Sequence, residues 1–541
     1  MTKEFVPVTP RARRLAEGLR DTGYEFETAV CDLIDNSLAA GASIVDIHCD
    51  IDINGELQLT IADNGCGMGK DMLIEAMRYG AKARQSPASL GKFGLGLKTA
   101  STAFCRQLSV ASRADGKKPA LCAVLDLDEL DDEWTISIDE ADREMKRVLD
   151  EIAPKASGTV VRWNKVDRFL DGYQDPAGGH RRRALEKRTD GLRWRIGMTY
   201  QRFLDREDKR TNQKVKISLN GKPVEPWDPF AMDYSTLVSS EDLDVDVGGK
   251  IVQAQVRAYV LPRPEELPKP EELPKPASDF RYSNDLQGFW IYRENRLIQY
   301  ADWLRMFHKE PHYSFCRVEF SFDHRLDEAF RVDVKKSRIE LAQELYEFLE
   351  QFVAPARRAA NQRYREGYRA KVKAKSNGAH DVSNRAISDK EKEVSGDISV
   401  TQAADQSNTA IVTNKHGTSH ISITIKRPEK PEQVFVEAVD GLPDGLLFRP
   451  AMITDADGKP HIAVQINRQH PYYDRVYVPN LSRGVLVQGM DSLLWSMAVA
   501  EMNAVTEETA KILEDIRYDM SRRLRKLVES LPEPVLDETV N

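Results

Sequence analysis

Gly91-Lys-Phe-Gly94-Leu-Gly96-Leu-Lys98-Thr99 is the last of three short segments near the start of the chain, after Asp32-Leu-Ile-Asp-Asn36 and Asp63-Asn-Gly-Cys-Gly67. The glycine run precedes a helical stretch, and the bare N–H groups of a helix start favour phosphate. Gly91, Gly94 and Gly96, with Leu95 and Leu97 beside them, bring the backbone close to an anion. Lys98 and Thr99 fall in the first turn, where the lysine adds a cationic contact. Asp63 ends the alternating stretch Leu57-Gln-Leu-Thr-Ile61, where the carboxyl ends of an open sheet form a crevice. A carboxylate there can accept from the exocyclic amine of adenine, and Gly65 and Gly67 let the chain turn beneath the base. Met68 packs either on that ring or on the core, and the sequence leaves both open. Asp32 and Asn36 lie four apart on one helix face. Asn36 offers an amide oxygen to Mg²⁺, and Asp32 a carboxylate to polarise an attacking water as general base. Ala81–Ser89, with Lys82, reads as a lid over the phosphates, and Thr159 on a returning strand can reach the base through a water. A lone glycine cluster is usually a turn, and a lone Asp/Asn pair usually faces solvent. In this order and spacing the segments imply a magnesium-dependent ATP pocket.

At 541 residues two to four domains are expected. A composition of 41% apolar and 30% charged residues is that of a soluble globular protein. No long apolar run and no signal peptide is expected, so the cytoplasm is the default. The six cysteines have no C-x-x-C spacing, which argues against a disulfide framework or zinc site and makes core thiols the expectation. With a formal net charge of −8, contact with nucleic acid has to come from local patches.

The periodicity predicts a helix over 26–40, strands over 44–51 and 57–61, a helix over 71–79, β character over 107–112 and a strand from Gly158 that closes a first domain near residue 170. A second unit, 171–350, opens on a basic helical segment (Arg181–Arg206) and continues in strands at 214–219, 250–260 and 287–293. Its repeat Glu265-Glu-Leu-Pro-Lys-Pro270, Glu271-Glu-Leu-Pro-Lys-Pro276 favours an extended surface loop. Residues 351–411 read as a basic helix followed by a polar linker (376–410), and 412–541 as a mixed α/β domain. In that last domain Ile512, Ile516, Met520, Leu524, Leu527 and Leu531 form one stripe, most simply core, with a subunit contact as the alternative.

The three segments resemble the N, G1 and G2 boxes of the GHKL superfamily (gyrase, heat-shock chaperone, histidine kinase, MutL), and Gly158-Thr159 resembles its later Gly-Thr element. Asn36-Ser-Leu-Ala-Ala-Gly-Ala-Ser43 is similar to the MutL continuation. Tyr79-Gly-Ala-Lys82, the glycine loop through Ser101 and Tyr292-Arg-Glu-Asn-Arg-Leu-Ile-Gln-Tyr300 are more similar to MORC ATPases, including prokaryotic MORC-like proteins. The resemblance implies an α+β sandwich of GHKL (Bergerat) type over 1–170 and a transducer-like, ribosomal S5-like α/β domain over 171–350. It also implies ATP with Mg²⁺, ATP-driven homodimerisation and a lysine sent to the γ-phosphate. Val334-Lys-Lys336-Ser-Arg-Ile339 fits that last role, and the Lys-x-x-apolar register favours Lys336 over Lys335. MORC, MutL and the chaperone have Glu where this chain has Asp32, one methylene shorter. Slow hydrolysis follows from that difference. Glu27 lies about 140° round the helix and does not substitute.

Two basic stretches are candidates for DNA: 181–195, with Trp194 among its arginines and lysines, and 357–375, with Tyr364 and Tyr368 interleaved. The bland alternative for both is a solvated helix face. The leading expectation is a DNA-associated ATPase clamp, with a role in bacterial genome defence or chromosome handling resting on resemblance alone. A heat-shock-type protein-remodelling chaperone is the alternative. A histidine kinase fits poorly, since no phosphoacceptor-histidine helix precedes the first segment.

Overall fold

The computed structural model describes residues 11–21, 23–51, 55–80, 96–130, 133–170, 179–247, 250–268, 283–327, 343–394, 398–402, 409–415, 417–422, 425–426 and 433–532. They fall into two compact units, Met1–Tyr364 and Arg365–Asn541.

The first unit begins with helices α1 (Ala12–Arg20) and α2 (Phe26–Ala39), then strands β1 (Ile44–Ile51) and β2 (Leu57–Asp63). In α2 the apolar positions Phe26, Ala29, Val30, Leu33 and Ile34 are all buried, as helical spacing requires. Next come α3 (Lys70–Met77), α4 (Gly96–Thr102), β3 (Cys105–Arg113), β4 (Leu121–Asp126), β5 (Ser137–Glu140), α5 (Arg143–Ile152) and β6 (Gly158–Val166). The expected basic helix is α6 (Gly179–Thr199), with a short α7 (Gln201–Leu204) after it, leading to β7 (Lys216–Leu219) and β8 (Lys222–Pro223). Among the described residues eight strands form one sheet, in the order β5-β4-β3-β6-β2-β1-β7-β8. Its neighbours pair antiparallel except β1 and β7, which run parallel from Ile44↔Lys216 to Ile47↔Leu219. The strand read at 214–219 therefore completes the first sheet.

Strand alternation splits the side chains between two faces. Ile47, Leu59, Leu108 and Trp163 pack with α2 and the neighbouring helices. Ala62, Ala111 and Val160 face Met145 and Leu149 of α5. Helices on one face and α5 on the other make this a mixed α/β layering, as expected for the first domain.

A second sheet follows from β9 (Thr236–Val247), β10 (Lys250–Val260), β11 (Gly288–Arg293), β12 (Arg296–Asp302) and β13 (Cys316–Phe322), in the order β12-β11-β13-β10-β9. The start of α8 (Gln343–Lys375) packs on it through Leu349, Phe352, Val353 and Ala356. The proline-rich repeat lies mostly outside the described residues.

The second unit holds the end of α8, α9 (Asp381–Val394), a small sheet of β14 (Ser399–Gln402), β15 (Thr409–Asn414) and β16 (Gly417–Ser422), and a sheet of β17 (Ile425–Lys426), β18 (Val436–Val439), β19 (Phe448–Thr454) and β20 (Pro460–Asn467). Helices α10 (Gly484–Met502) and α11 (Glu507–Leu527) follow.

Three expectations are corrected. Residues 381–394 are a packed helix rather than linker: Ser383 and Asn384 are buried, and polarity was mistaken for solvation. Asn384 Oδ1 accepts from the amides of Phe435 (2.8 Å) and Val436 (3.0 Å), and its Nδ2 donates to Val436 O (2.9 Å). The C-terminal stripe is divided. Met520 and Leu524 pack on the core, while Ile512, Ile516, Leu527 and Leu531 are exposed. Five cysteines are buried as expected, but Cys66 is exposed. Among the described residues no helix is long and apolar enough to cross a membrane.

Asn384→Ala leaves three buried backbone groups without partners and is expected to destabilise the second unit by about 2–3 kcal/mol, read as a lower urea midpoint.

Candidate functional site

Asp63 stands at the end of β2, almost fully buried. Its Oδ2 accepts from Ser37 Oγ of α2 at 2.8 Å, and its Oδ1 from the Gly65 amide at 2.9 Å. Burial pushes its pKa up, against the opposing pull of Gly65 and Ser37. Two bonds leave lone pairs over on each oxygen pair, so the carboxylate keeps acceptor capacity for an amine. Ser37 was not singled out in the sequence; its place directly after Asn36 was the available signal.

The glycines are required by space. Gly67 has φ +63°, and a Cβ there would sit 2.0 Å from Arg113 O of β3. A Cβ on Gly65 would come within 2.8 Å of Ala40 and 2.9 Å of Asp63 Oδ1. Met68 is half-buried and packs partly on the main core, and its amide donates to Ser112 Oγ at 2.8 Å. Ser112 Oγ is also 2.9 Å from Thr159 Oγ1, and Thr159 pairs directly with Asp63 across β6 and β2. Asp63, Thr159, Ser112 and Met68 are thus one connected corner. Ser112 too was missed, because only the β3–β6 register reveals it.

On α2, Asp32 and Asn36 are half-buried and one turn apart. Tyr24 OH donates to Asp32 Oδ2 at 3.3 Å. A Cβ on Gly96 would lie 3.6 Å from the same oxygen, so the start of α4 runs alongside Asp32. Asp32 and Asn36 each carry a side-chain oxygen on this stretch of α2. Leu97 is partly buried on the core. Thr99 is buried, and Lys98 is 1% exposed with Nζ donating to Ala76 O at 2.9 Å and lying 6.0 Å from the Tyr79 ring centre. Its cation is directed at the end of α3. Lys82, Gly91, Gly94, Leu95, Lys335 and Lys336 lie outside the described residues.

The basic stretches divide in the same way. In α6, Arg193 donates to the carbonyls of Leu219, Lys222 and Pro223, Arg195 lies over Tyr300, and Trp194 packs edge-on against Trp227. Arg182, Arg183, Lys187 and Arg188 remain exposed. In α8, Arg357 stacks on Phe307 and Tyr313, and Arg363 donates to Leu261 O. Arg358, Arg365, Arg369, Lys371 and Lys375 are exposed.

Residues 24–159 match the family model described as histidine kinase-, DNA gyrase B-, and HSP90-like ATPase. The chain is 35% identical over 95 residues to "ATPase morc-1" of Caenorhabditis elegans, covering 17% of this chain and 11% of that protein. It is 36% identical over 77 residues to "ATPase MORC2B" of Mus musculus, covering 14% and 8%. The chain carries a GHKL-type, MORC-like ATPase domain. The matched segments are about a tenth of those relatives' lengths. A solved structure titled "Crystal Structure of N terminal domain of a DNA repair protein" aligns at TM-score 0.38 and 16% identity, over 66% of this chain and 98% of that one. A likeness that low has no bearing on function.

Two outcomes test this corner. Gly67→Ala is expected to abolish ATP binding in calorimetry, because neither the φ nor the Arg113 carbonyl tolerates a methyl group. Because its folded pKa is raised, Asp63 contributes most to stability below the ordinary carboxylate pKa, and that contribution is lost as pH rises through the raised value. Asp63→Asn should therefore flatten the dependence of the denaturation midpoint on pH above the ordinary carboxylate pKa of about 4 while removing ATP affinity.

Proposed function

We propose that this protein is a Mg²⁺-dependent ATPase that dimerises on binding ATP and works as a DNA-associated clamp. The observation that carries the nucleotide reading is Asp63, buried between Ser37 and Gly65 with Thr159 opposite. In that reading Asp63 accepts from the adenine amine, and Gly65 and Gly67 admit the base. The amides around Gly94–Gly96, with Thr99, take the phosphates; Lys98, expected beside them, has its cation turned to Ala76 O instead. Asn36 would hold Mg²⁺, which when bound neutralises phosphate charge. Asp32 draws a proton from the attacking water, and Tyr24 orients its carboxylate through Oδ2. Lys336, in the transducer-like part of the chain, is the candidate cation for the γ-phosphate. The shorter Asp in place of Glu makes turnover slow, so that binding does more of the switching than hydrolysis.

The DNA half is supported by the exposed cations of α6 and α8. Neutralising phosphates with such residues makes retention fall steeply with salt. A role in genome defence or chromosome handling, in the cytoplasm, extends the same reading. The chaperone alternative would show instead as turnover stimulated by unfolded protein.

Asp32→Ala is expected to lower ATP turnover by about 10²–10⁴ with ATP affinity retained. Light scattering with and without ATP should show monomer and dimer mass, and plasmid should raise wild-type turnover at low salt only. Normal turnover by Asp32→Ala would remove the general-base assignment.

A further inference from the structure

Helix α2 carries Asp32 and Asn36 on the candidate site, but Asp35 between them is 1% exposed and bonded elsewhere. Its Oδ1 accepts from Arg296 Nε at 3.2 Å and lies 2.8 Å from Tyr200 OH, which is also 2.7 Å from Cys31 O one turn back. Arg296 is 5% exposed and Tyr200 fully buried, so this is an ion pair closed off from water. It belongs to the second sheet: Arg296 opens β12, paired with Arg293 at the end of β11.

The turn between those strands is Glu294-Asn295, with φ of 48° and 66°, the left-handed pair of a tight two-residue hairpin. Every residue around it is tied to a different element. Arg293 grips Asp327 with two bonds, Nε at 2.6 Å and Nη2 at 2.8 Å. Glu294 accepts from the His324 amide at 3.0 Å. Asn295 accepts from Arg202 Nη1 at 3.2 Å and donates to Arg210 O at 3.2 Å. Arg296 reaches α2 itself. One hairpin thus holds both α2 and Asp327.

A buried ion pair is a poor device for stability, since apolar residues of similar volume usually do as well. It is directional, however, and a bond to Asp35 fixes the rotation of α2. A side-chain oxygen sits ~6 Å from a helix axis, so a rotation of ~10° moves it by ~1 Å. A displacement of about 1 Å at reacting groups can cost about 10²-fold in rate.

We propose that Arg296 is a positioning residue for ATP hydrolysis: by gripping Asp35 from the second sheet it sets the rotation of α2 and hence the placement of Asp32. This rests on the ATPase reading above. The mechanical consequence is that a shift of the β11–β12 hairpin changes turnover without touching the nucleotide.

The test measures kcat and, separately, calorimetric ATP affinity with Mg²⁺ in the full chain. Arg296→Gln and Asp35→Asn are each expected to lower kcat about tenfold or more with affinity changed less than about threefold, a split that mere loss of stability does not give. The double variant should be no slower than the slower single, because the two side chains act as one unit. Arg296→Lys should recover part of kcat. Tyr200→Phe keeps the ring, loses only the hydroxyl and should cost about threefold in kcat, so the proposal is decided even if the Gln and Asn variants fail to fold. Unchanged kcat in Tyr200→Phe and Arg296→Lys overturns it, as do single losses that multiply in the double variant. Wild-type protein that binds no ATP in the first titration overturns the ATPase reading itself, and the coupling with it.

Discussion

A carboxylate buried where a helix and two strands meet has to be supplied with donors, and at Asp63 that requirement organises the first unit. Ser37 can serve it only if α2 lies across the end of β2, and the Gly65 amide only if the chain turns at once. That turn brings Gly67 against the Arg113 carbonyl so closely that no side chain fits. Desolvation raises the pKa of the group, a cost the folded protein carries. Its two donors leave the carboxylate with acceptor capacity to spare.

The same helix is held from its other side. Tyr200, Arg296 and, through the Leu38 carbonyl, Gln213 attach α2 to the region that follows the nucleotide domain in sequence. Asp32 and Asn36 therefore take their positions from two independent sets of contacts, one beside Asp63 and one in the second sheet.

How far this could be read beforehand depended on the range of the interactions. Helix α2 and strands β1 and β2 followed from periodicity, and Asp63 and its glycines from local chemistry. Ser112 and the Arg296–Asp35 pair join residues far apart in the chain, and only sheet register or tertiary packing brings them together. Strand β9 escaped notice because Glu241, Asp242, Asp244 and Asp246 make it acidic, as suits an exposed edge. Helix α9 escaped because its buried face carries Ser383 and Asn384, whose bonds replace water, with Ile387 as the apolar member.

Cys66 lies exposed between the two glycines that line this corner, while the other thiols are shut inside. Burial pushes Cys49 and Cys316 up to about 12 and Cys122 to about 11, and raises Cys31 and Cys105 as well. Those five thiols are thereby both shut from solvent and held in the protonated form, which leaves Cys66 as the accessible sulfur. A maleimide fluorophore added to the unaltered polypeptide would attach at a single address, three residues past Asp63, and its emission would report on that corner of the fold.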